Sequence, residues 1–294
     1  MDLSIVMKHL PTDTKHCSNA FALEKPFFAP LWDYLRINHN EVIRSPLLPV
    51  FLSIFTYLSL CLFYMTLDLL APLVPSINRY KIHPENPVKA LDILKAVILT
   101  LYNHVIFVFP AAVAQWYWRP KLPLVEDAPT LLEFSTGIIG CTILFDSQYY
   151  IWHLVHHKSR WLYVTFHATH HEYHTTFCWV TQYMSAFELM SVGFWTTLDP
   201  VLLQCHPLTG YAFMVFNVWI SVEDHSGYDF PWALHNLIPF GLWGGSVKHD
   251  MHHQKPATNF QPFFSHWDWL GGTYFYQNKS SRNKDKNEKR LTLL

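Results

Sequence analysis

Between Trp152 and His171 the chain reads WHLVHHKSRWLYVTFHATHH, with histidines at positions 153, 156, 157, 167, 170 and 171. A later group, His249, His252 and His253 in HDMHH, repeats the spacing of HATHH at 167–171. A neutral imidazole nitrogen is the commonest protein ligand for a metal ion. On a helix, positions i, i+3 and i+4 share a face. Each H-x-x-H-H box is therefore expected to aim three imidazoles at one point, and His153 with His157 to aim two more. His225 closes an apolar helix, as His153 does, which puts it at the same membrane edge. The set His153, His157, His167, His170, His171, His225, His249, His252 and His253 is larger than one structural or catalytic zinc accepts. Two metal ions sharing the set absorb it. Imidazole suits iron, zinc, copper and nickel, so ligand type does not choose the metal. A histidine-rich surface that picks up stray metal would not explain three boxes of matching design.

Other residues are expected to support these ligands. Asp146 lies two helical turns before His153 on the same face, where a carboxylate hydrogen-bonds an imidazole and fixes its tautomer. The competing reading of Asp146 is a helix-end group reaching water. His156 is out of step with the H-x-x-x-H pair and reads as support. His174 follows His170 by four and helps orient the second box, and Asp250 lies inside the third. His104 reads as a satisfied interhelical residue. His235 and His266 have no box partners. His9, His16, His39, His83 and His206 read as structural or solvated.

The elements that must position these groups are apolar. Of 294 residues, half are hydrophobic, 17% are aromatic and only 15% are charged, against about 25% charged in a usual soluble domain. That balance points to a membrane. The formal net charge of −1 gives no polyanion-binding character, so nucleic acid is not an expected partner. Five widely spaced cysteines without a CxxC pair argue against a disulfide framework or a zinc knuckle. No clean signal-peptide pattern opens the sequence, so the chain's own spans are expected to direct it.

Spans are expected near 46–74, 92–118 and 130–152, since each approaches the roughly 20 apolar residues needed to cross a bilayer. The third runs directly into the first histidines. Residues 180–222, divided by Pro200 and Pro207, read as a helical hairpin that dips into or crosses the membrane. Within it Phe177 to Met190 reads as ordinary helix packing, with a lipid-lining wall as the alternative. Residues 1–45 form a lead-in with a short packing helix around Phe27 to Leu35. The polar tail 277–294 reads as a disordered cytosolic end, and the sequon at Asn278 would be silent there. The expected fold is an all-α integral membrane protein, several transmembrane helices under a cytosolic, helical, histidine-rich di-metal cap.

The pattern H-x-x-x-H, H-x-x-H-H and H-x-x-H-H resembles the fatty acid hydroxylase/sterol desaturase superfamily of membrane di-iron enzymes. RYKIHP (79–84), WHLVHHK (152–158), TQYMSAFEL (181–189), SVEDHSGYDFPW (221–232) and HWDWLGGT (266–273) resemble, more narrowly, its branch that hydroxylates the sterol side chain. The likeness runs from about residue 27 to 276. It implies a multi-pass monooxygenase of the endoplasmic reticulum membrane that places a hydroxyl on cholesterol at C25. It implies iron as the metal, dioxygen as co-substrate, and electrons from NADPH through a separate reductase chain or a cytochrome b5-like protein. Carried over by position, the metal ligands are the nine histidines named above. Asp229 stands where some relatives have another histidine, so the tenth ligand position falls to water, to Asp229 or to nothing. The boxes alone leave open C4-methyl sterol oxidation, sterol C5 desaturation and alkylglycerol cleavage. A histidine-rich metal transporter would instead place its ligands at midspan.

Overall fold

A computed structural model of the chain describes residues 26–118 and 124–275. The described residues are helical throughout, with two isolated β-bridges and no strand. Expectations placed on residues 1–25 and on the tail, including the sequon, lie outside them.

A short helix, α1 (Ala29–Asn38), opens the described chain. Its Trp32 is buried and donates its indole N–H to the carbonyl of Val125 at 3.0 Å. This is the packing role expected of that segment. Then comes α2 (Leu47–Leu70), 24 residues without a charge before Asp68. At about 1.5 Å rise per residue such a helix is long enough to cross a bilayer. The next, α3 (Ala90–Tyr117), also has the length and apolarity of a span. It passes through a π-helical turn at His104–Val108, and Pro110 follows directly. Both helices leave large apolar side chains uncovered, among them Phe51, Phe55 and Phe63 on α2 and Leu94, Ile98 and Val105 on α3. Bare apolar faces of this extent mark contact with something other than water. Their inner faces are packed: Tyr57, Cys61 and Tyr64 of α2 and Ala96 of α3 join Trp179, Val180 and Val222 in one core.

Helix α4 (Leu131–Lys158) starts at a capping box, Thr130 with Glu133. Its 28 residues carry the first histidines at the far end. The expected hairpin is α5 (Ala186–Leu202) and α6 (Pro207–Asp224). Helix α6 is the hub, packing on α2, α4, α5 and the later α7 (Gly245–Gln254). A last short helix, α8 (His266–Gly271), follows. Of the expected spans, α2 and α3 meet the length and apolarity of a crossing helix; α4 and the hairpin are more polar. Phe177, Trp179, Val180, Tyr183 and Met184 are buried, so the first part of that stretch packs, whereas Phe187 and Met190 at its end leave an exposed apolar surface. His104 is satisfied inside its own helix, Nδ1 to the carbonyl of Thr100 at 2.8 Å, and not across helices. The neighbouring Asn103 makes the interhelical contact instead, to the carbonyl of Met184 at 2.9 Å. The cysteines at 61, 141, 178 and 205 are free thiols.

Two tight backbone sites deliver the ends of α6 and α7. Gly227 has φ +75°, and a Cβ there would lie 2.8 Å from the carbonyl of Thr176. This turn lets Gly227 accept the N–H of Ile82, tying the RYKIHP loop beneath His225. Gly245, at φ +69°, begins α7 with the His235 ring where a Cβ would be. Any side chain at 245 would displace that ring.

Candidate metal centre

The nine histidines converge in two buried groups: His153, His157, His167, His171 and His252, and, beside them, His170, His225, His249 and His253. Within each group the candidate ligand atoms lie within 4.8 Å of one another. In the five-histidine group the Nε2 atoms form a chain. His153 to His157 is 3.1 Å, His157 to His167 2.9 Å, His167 to His171 3.1 Å and His171 to His252 3.1 Å. In the four-histidine group His170 to His225 is 3.2 Å and His225 to His249 is 2.8 Å.

The boxes are not the units of the site, which corrects the expectation from spacing. The second box splits, His167 and His171 going to one group and His170 to the other. The third splits as well, His252 to one and His249 with His253 to the other. The cause is helical geometry. Adjacent positions such as 252 and 253 point about 100° apart, while i and i+4 are nearly eclipsed. A box of three therefore straddles two points, with its central line between them. The second box is further opened by its backbone, a π-turn at Tyr163–His167 followed by a 3-10 turn at His170–Glu172.

The outer nitrogens explain the inward aim. Nδ1 of His153 donates to the carbonyl of Phe260 (2.8 Å), of His252 to Thr258 (2.6 Å), of His225 to Ser221 (2.7 Å) and of His253 to Tyr173 (3.0 Å). Nδ1 of His167 donates to the carboxylate of Glu188 at 2.8 Å. A ring that carries its proton on Nδ1 presents a bare lone pair at Nε2. Between His170 and His225, whose Nδ1 atoms both donate to backbone carbonyls, two bare Nε2 lone pairs face each other at 3.2 Å and no hydrogen bond joins them. The arrangement fits a cation at each focus. Neighbouring Nε2 atoms 2.8–3.2 Å apart are close enough for one cation to be shared among them. Burial, with mutual repulsion among the rings, pushes His153, His167, His170, His171, His249 and His253 well below the usual histidine range. Burial brings His225 and His252 to about 4 and His157 to about 2. All nine are thus neutral, ligand-ready imidazoles at neutral pH.

The supporting residues differ from expectation in part. Asp146 reaches no imidazole. Its Oδ1 accepts the backbone N–H groups of Phe263 and Phe264 at 2.8 and 3.0 Å, because the 259–265 segment folds back over that face of α4. Asp268 does the same for Phe260 and Gln261, at 2.9 and 3.0 Å. Together they fix the segment whose Phe260 carbonyl orients His153. His156 lies outside both groups; its ring stacks on Trp152 at 3.6 Å, and Trp152 in turn meets the edge of His167. His174 touches only the backbone carbonyl of His253, at 3.5 Å. Asp250 holds the cap from outside, accepting from His83 at 2.7 Å and from the N–H and hydroxyl of Thr176. His83, expected to be structural or solvated, is thereby part of the cap's outer bracing. Asp229 accepts from His235 and Asn236 and belongs to neither histidine group.

Glu188 escaped the sequence reading as a partner. It is fully buried, and a carboxylate in a helix whose other acid is Asp199 alone was the available signal. The carbonyls of Phe260, Thr258 and Tyr173 carry no signal in the sequence at all.

A family model described as fatty acid hydroxylase matches residues 138–273, the stretch that holds all nine histidines. Cholesterol 25-hydroxylase-like protein 2 of Danio rerio is 64% identical over 244 residues, covering 83% of this chain and 88% of that protein. Cholesterol 25-hydroxylase of Homo sapiens is 49% identical over 247 residues, 84% of this chain and 90% of the other. The Rattus norvegicus cholesterol 25-hydroxylase is 48% identical over 257 residues, 87% of this chain and 84% of that protein. The chain belongs to the fatty acid hydroxylase family. It is accordingly a hydroxylating oxidoreductase, and the bare apolar faces of α2 and α3 make it a membrane protein. No solved structure matches the chain. The family match begins inside α4, so α2 and α3 lie outside the matched region, while the cap, the hairpin and α8 lie within it.

Proposed function

We propose that this hydroxylase acts on the side chain of cholesterol, placing a hydroxyl at C25, with two iron ions held by the nine histidines. The observation that carries the reading is the convergence of five and four imidazoles on two adjacent foci, in a chain about half identical to cholesterol 25-hydroxylases over most of its length. When bound, the irons supply dioxygen activation and the one-electron steps that no side chain provides. NADPH is the ultimate electron source through a separate reductase chain, and the setting is a multi-pass protein of the endoplasmic reticulum membrane with its cap in the cytosol.

The chain's own contribution is positional. Nε2 atoms hold the cations. The Nδ1 contacts to Phe260, Thr258, Ser221, Tyr173 and Glu188 keep each ring turned inward. Burial of every ligand except the partly exposed His157 keeps bulk water off the centre. The aromatic wall of Trp152, Phe166 and Phe187 beside the five-histidine group is the apolar surface available to a hydrocarbon side chain, and it continues into the exposed Met190 and Phe194 of α5. A cleft of about 230 Å³ on the other flank is lined by Asp68, Lys81, His83, Lys89 and Asp92, and its charges suit no sterol.

The test is product mapping. Membranes containing the chain, given cholesterol, dioxygen and an NADPH-driven reductase, should form 25-hydroxycholesterol by mass spectrometry. Hydroxylation at another carbon, or no product from cholesterol while a 4-methyl sterol or a sterol lacking the C5 double bond is oxidised in parallel, would reject the substrate assignment.

A further inference from the structure

The two histidine groups differ in what stands behind them. In the four-histidine group, the Nδ1 contacts of His170, His225 and His253 all go to backbone carbonyls, of Tyr183, Ser221 and Tyr173. In the five-histidine group, His153 and His252 are held the same way, but His167 faces the Glu188 carboxylate. Both side chains of that pair are fully buried. The second carboxylate oxygen of Glu188 is buried with no hydrogen-bond partner.

The carboxylate is well fixed. Ser185 caps the first turn of α5 by accepting the N–H of Glu188 at 3.2 Å, and its own hydroxyl donates to the carbonyl of Phe166 at 2.6 Å. That bond ties the start of α5 to the π-turn that carries His167. The carboxylate's hydrogen-bond partner offers no countercharge, since burial and the neighbouring imidazoles push His167 well below the usual histidine range. A buried carboxylate with one oxygen unsatisfied is costly unless a cation lies near. The focus of the five-histidine group is one imidazole away.

We propose that Glu188 is a positioning residue that gives the five-histidine group a side-chain carboxylate behind one of its ligands, a partner no ligand of the other group has, so that this group holds its metal ion the more tightly. The inference rests on the reading that the nine histidines bind two metal ions. A carboxylate behind a ligating imidazole raises the basicity of the ligand, and losing such a partner weakens metal binding by about 10- to 100-fold. The carbonyl-backed group has no such reinforcement.

The test uses the full-length chain in detergent, stripped of metal and titrated with cobalt(II) against a competing chelator, with the cobalt visible bands and thermal melting as readouts. The wild type should show two sites of unequal affinity. Glu188→Gln keeps the shape and still accepts the His167 proton, but removes the charge. It should weaken the tighter site by about 10- to 100-fold, leave the weaker one unchanged and lower the melting temperature of the loaded protein. A role confined to packing would leave both sites as they were. Equal loss at both sites overturns the proposal. A second arm does not depend on how that variant folds: His157→Ala should abolish the tighter site and His249→Ala the weaker, and the reverse assignment overturns it. If the wild type binds fewer than two cobalt ions, the two-metal reading itself fails, a result distinct from failure of the Glu188 proposal.

Discussion

The Nε2 atoms of His171 and His252 stand 3.1 Å apart although the residues are separated by 81 positions in the chain. The proton of His252 is committed to the carbonyl of Thr258, so its lone pair points straight at its neighbour. Across both groups, segments distant in sequence meet through imidazole nitrogens. A cation at each focus would hold those nitrogens together.

Removal of metal should therefore loosen the cap and spare the apolar helices. Chelation is expected to raise hydrogen exchange across 153–171 and 249–260, with α2 unchanged, and to lower the melting temperature, because binding energy at such sites is also folding energy. Exchange mass spectrometry with and without chelator reads this directly.

Metal retention should depend on pH in a defined direction. Burial lowers His225 and His252 to about 4 and His157 to about 2, whereas an unfolded histidine titrates near 6.5. Between these values the opened chain takes up protons that the closed site refuses. Stability of the cap is thus complete above about pH 6.5 and falls as the pH drops toward 4. Metal content after equilibration at each pH should be flat from 7 upward and decline below 6.5. A decline that begins above pH 7.5 would mean that groups other than these histidines control it.

Loss of one ligand should be local. His170→Ala removes a donor from the four-histidine group and is expected to abolish turnover, halve the bound metal and leave the helical circular dichroism intact. Full activity with normal metal content in this variant would remove His170 from the site.

Asp268 should matter as much as a ligand, although it touches none. It is fully buried and accepts the N–H groups of Phe260 and Gln261 and the hydroxyl of Thr273. Asp268→Ala strands those donors and frees the carbonyl that orients His153. A destabilisation of about 2–4 kcal/mol is expected from the lost charge-assisted bonds, with metal affinity weakened about 10-fold or more. Melting and metal titration on the same preparation measure both.

These residues mark how far the sequence reaches. The nine converging histidines were legible because ligands are long-lived side-chain types at helical spacing, and α2 and α3 because bilayer thickness sets their length. The division of each box between two foci was not legible, since it depends on how the α4 end, the π-turn and α7 face one another. Asp146 was placed on the correct helix face, but its partner was set by a loop 117 residues away. Glu188 was visible as an anomaly in an apolar helix without a visible reason.

The exposed face of α2 should behave as a lipid face. Phe55 is 71% exposed. In water, Phe55→Asp would be neutral or favourable; in a bilayer it should cost about 2.5–3.5 kcal/mol near the centre of the span. Less of the variant should remain in the carbonate-resistant membrane fraction. Unchanged retention would place this face away from lipid.

The central claim is that nine histidines hold two metal ions in adjacent groups, and metal content of the purified, full-length chain tests it most directly. Elemental analysis against protein concentration should give two irons per chain, falling to about one in either His157→Ala or His249→Ala and to none when the two are combined. One iron or none per wild-type chain, or a content unchanged by these substitutions, would contradict it.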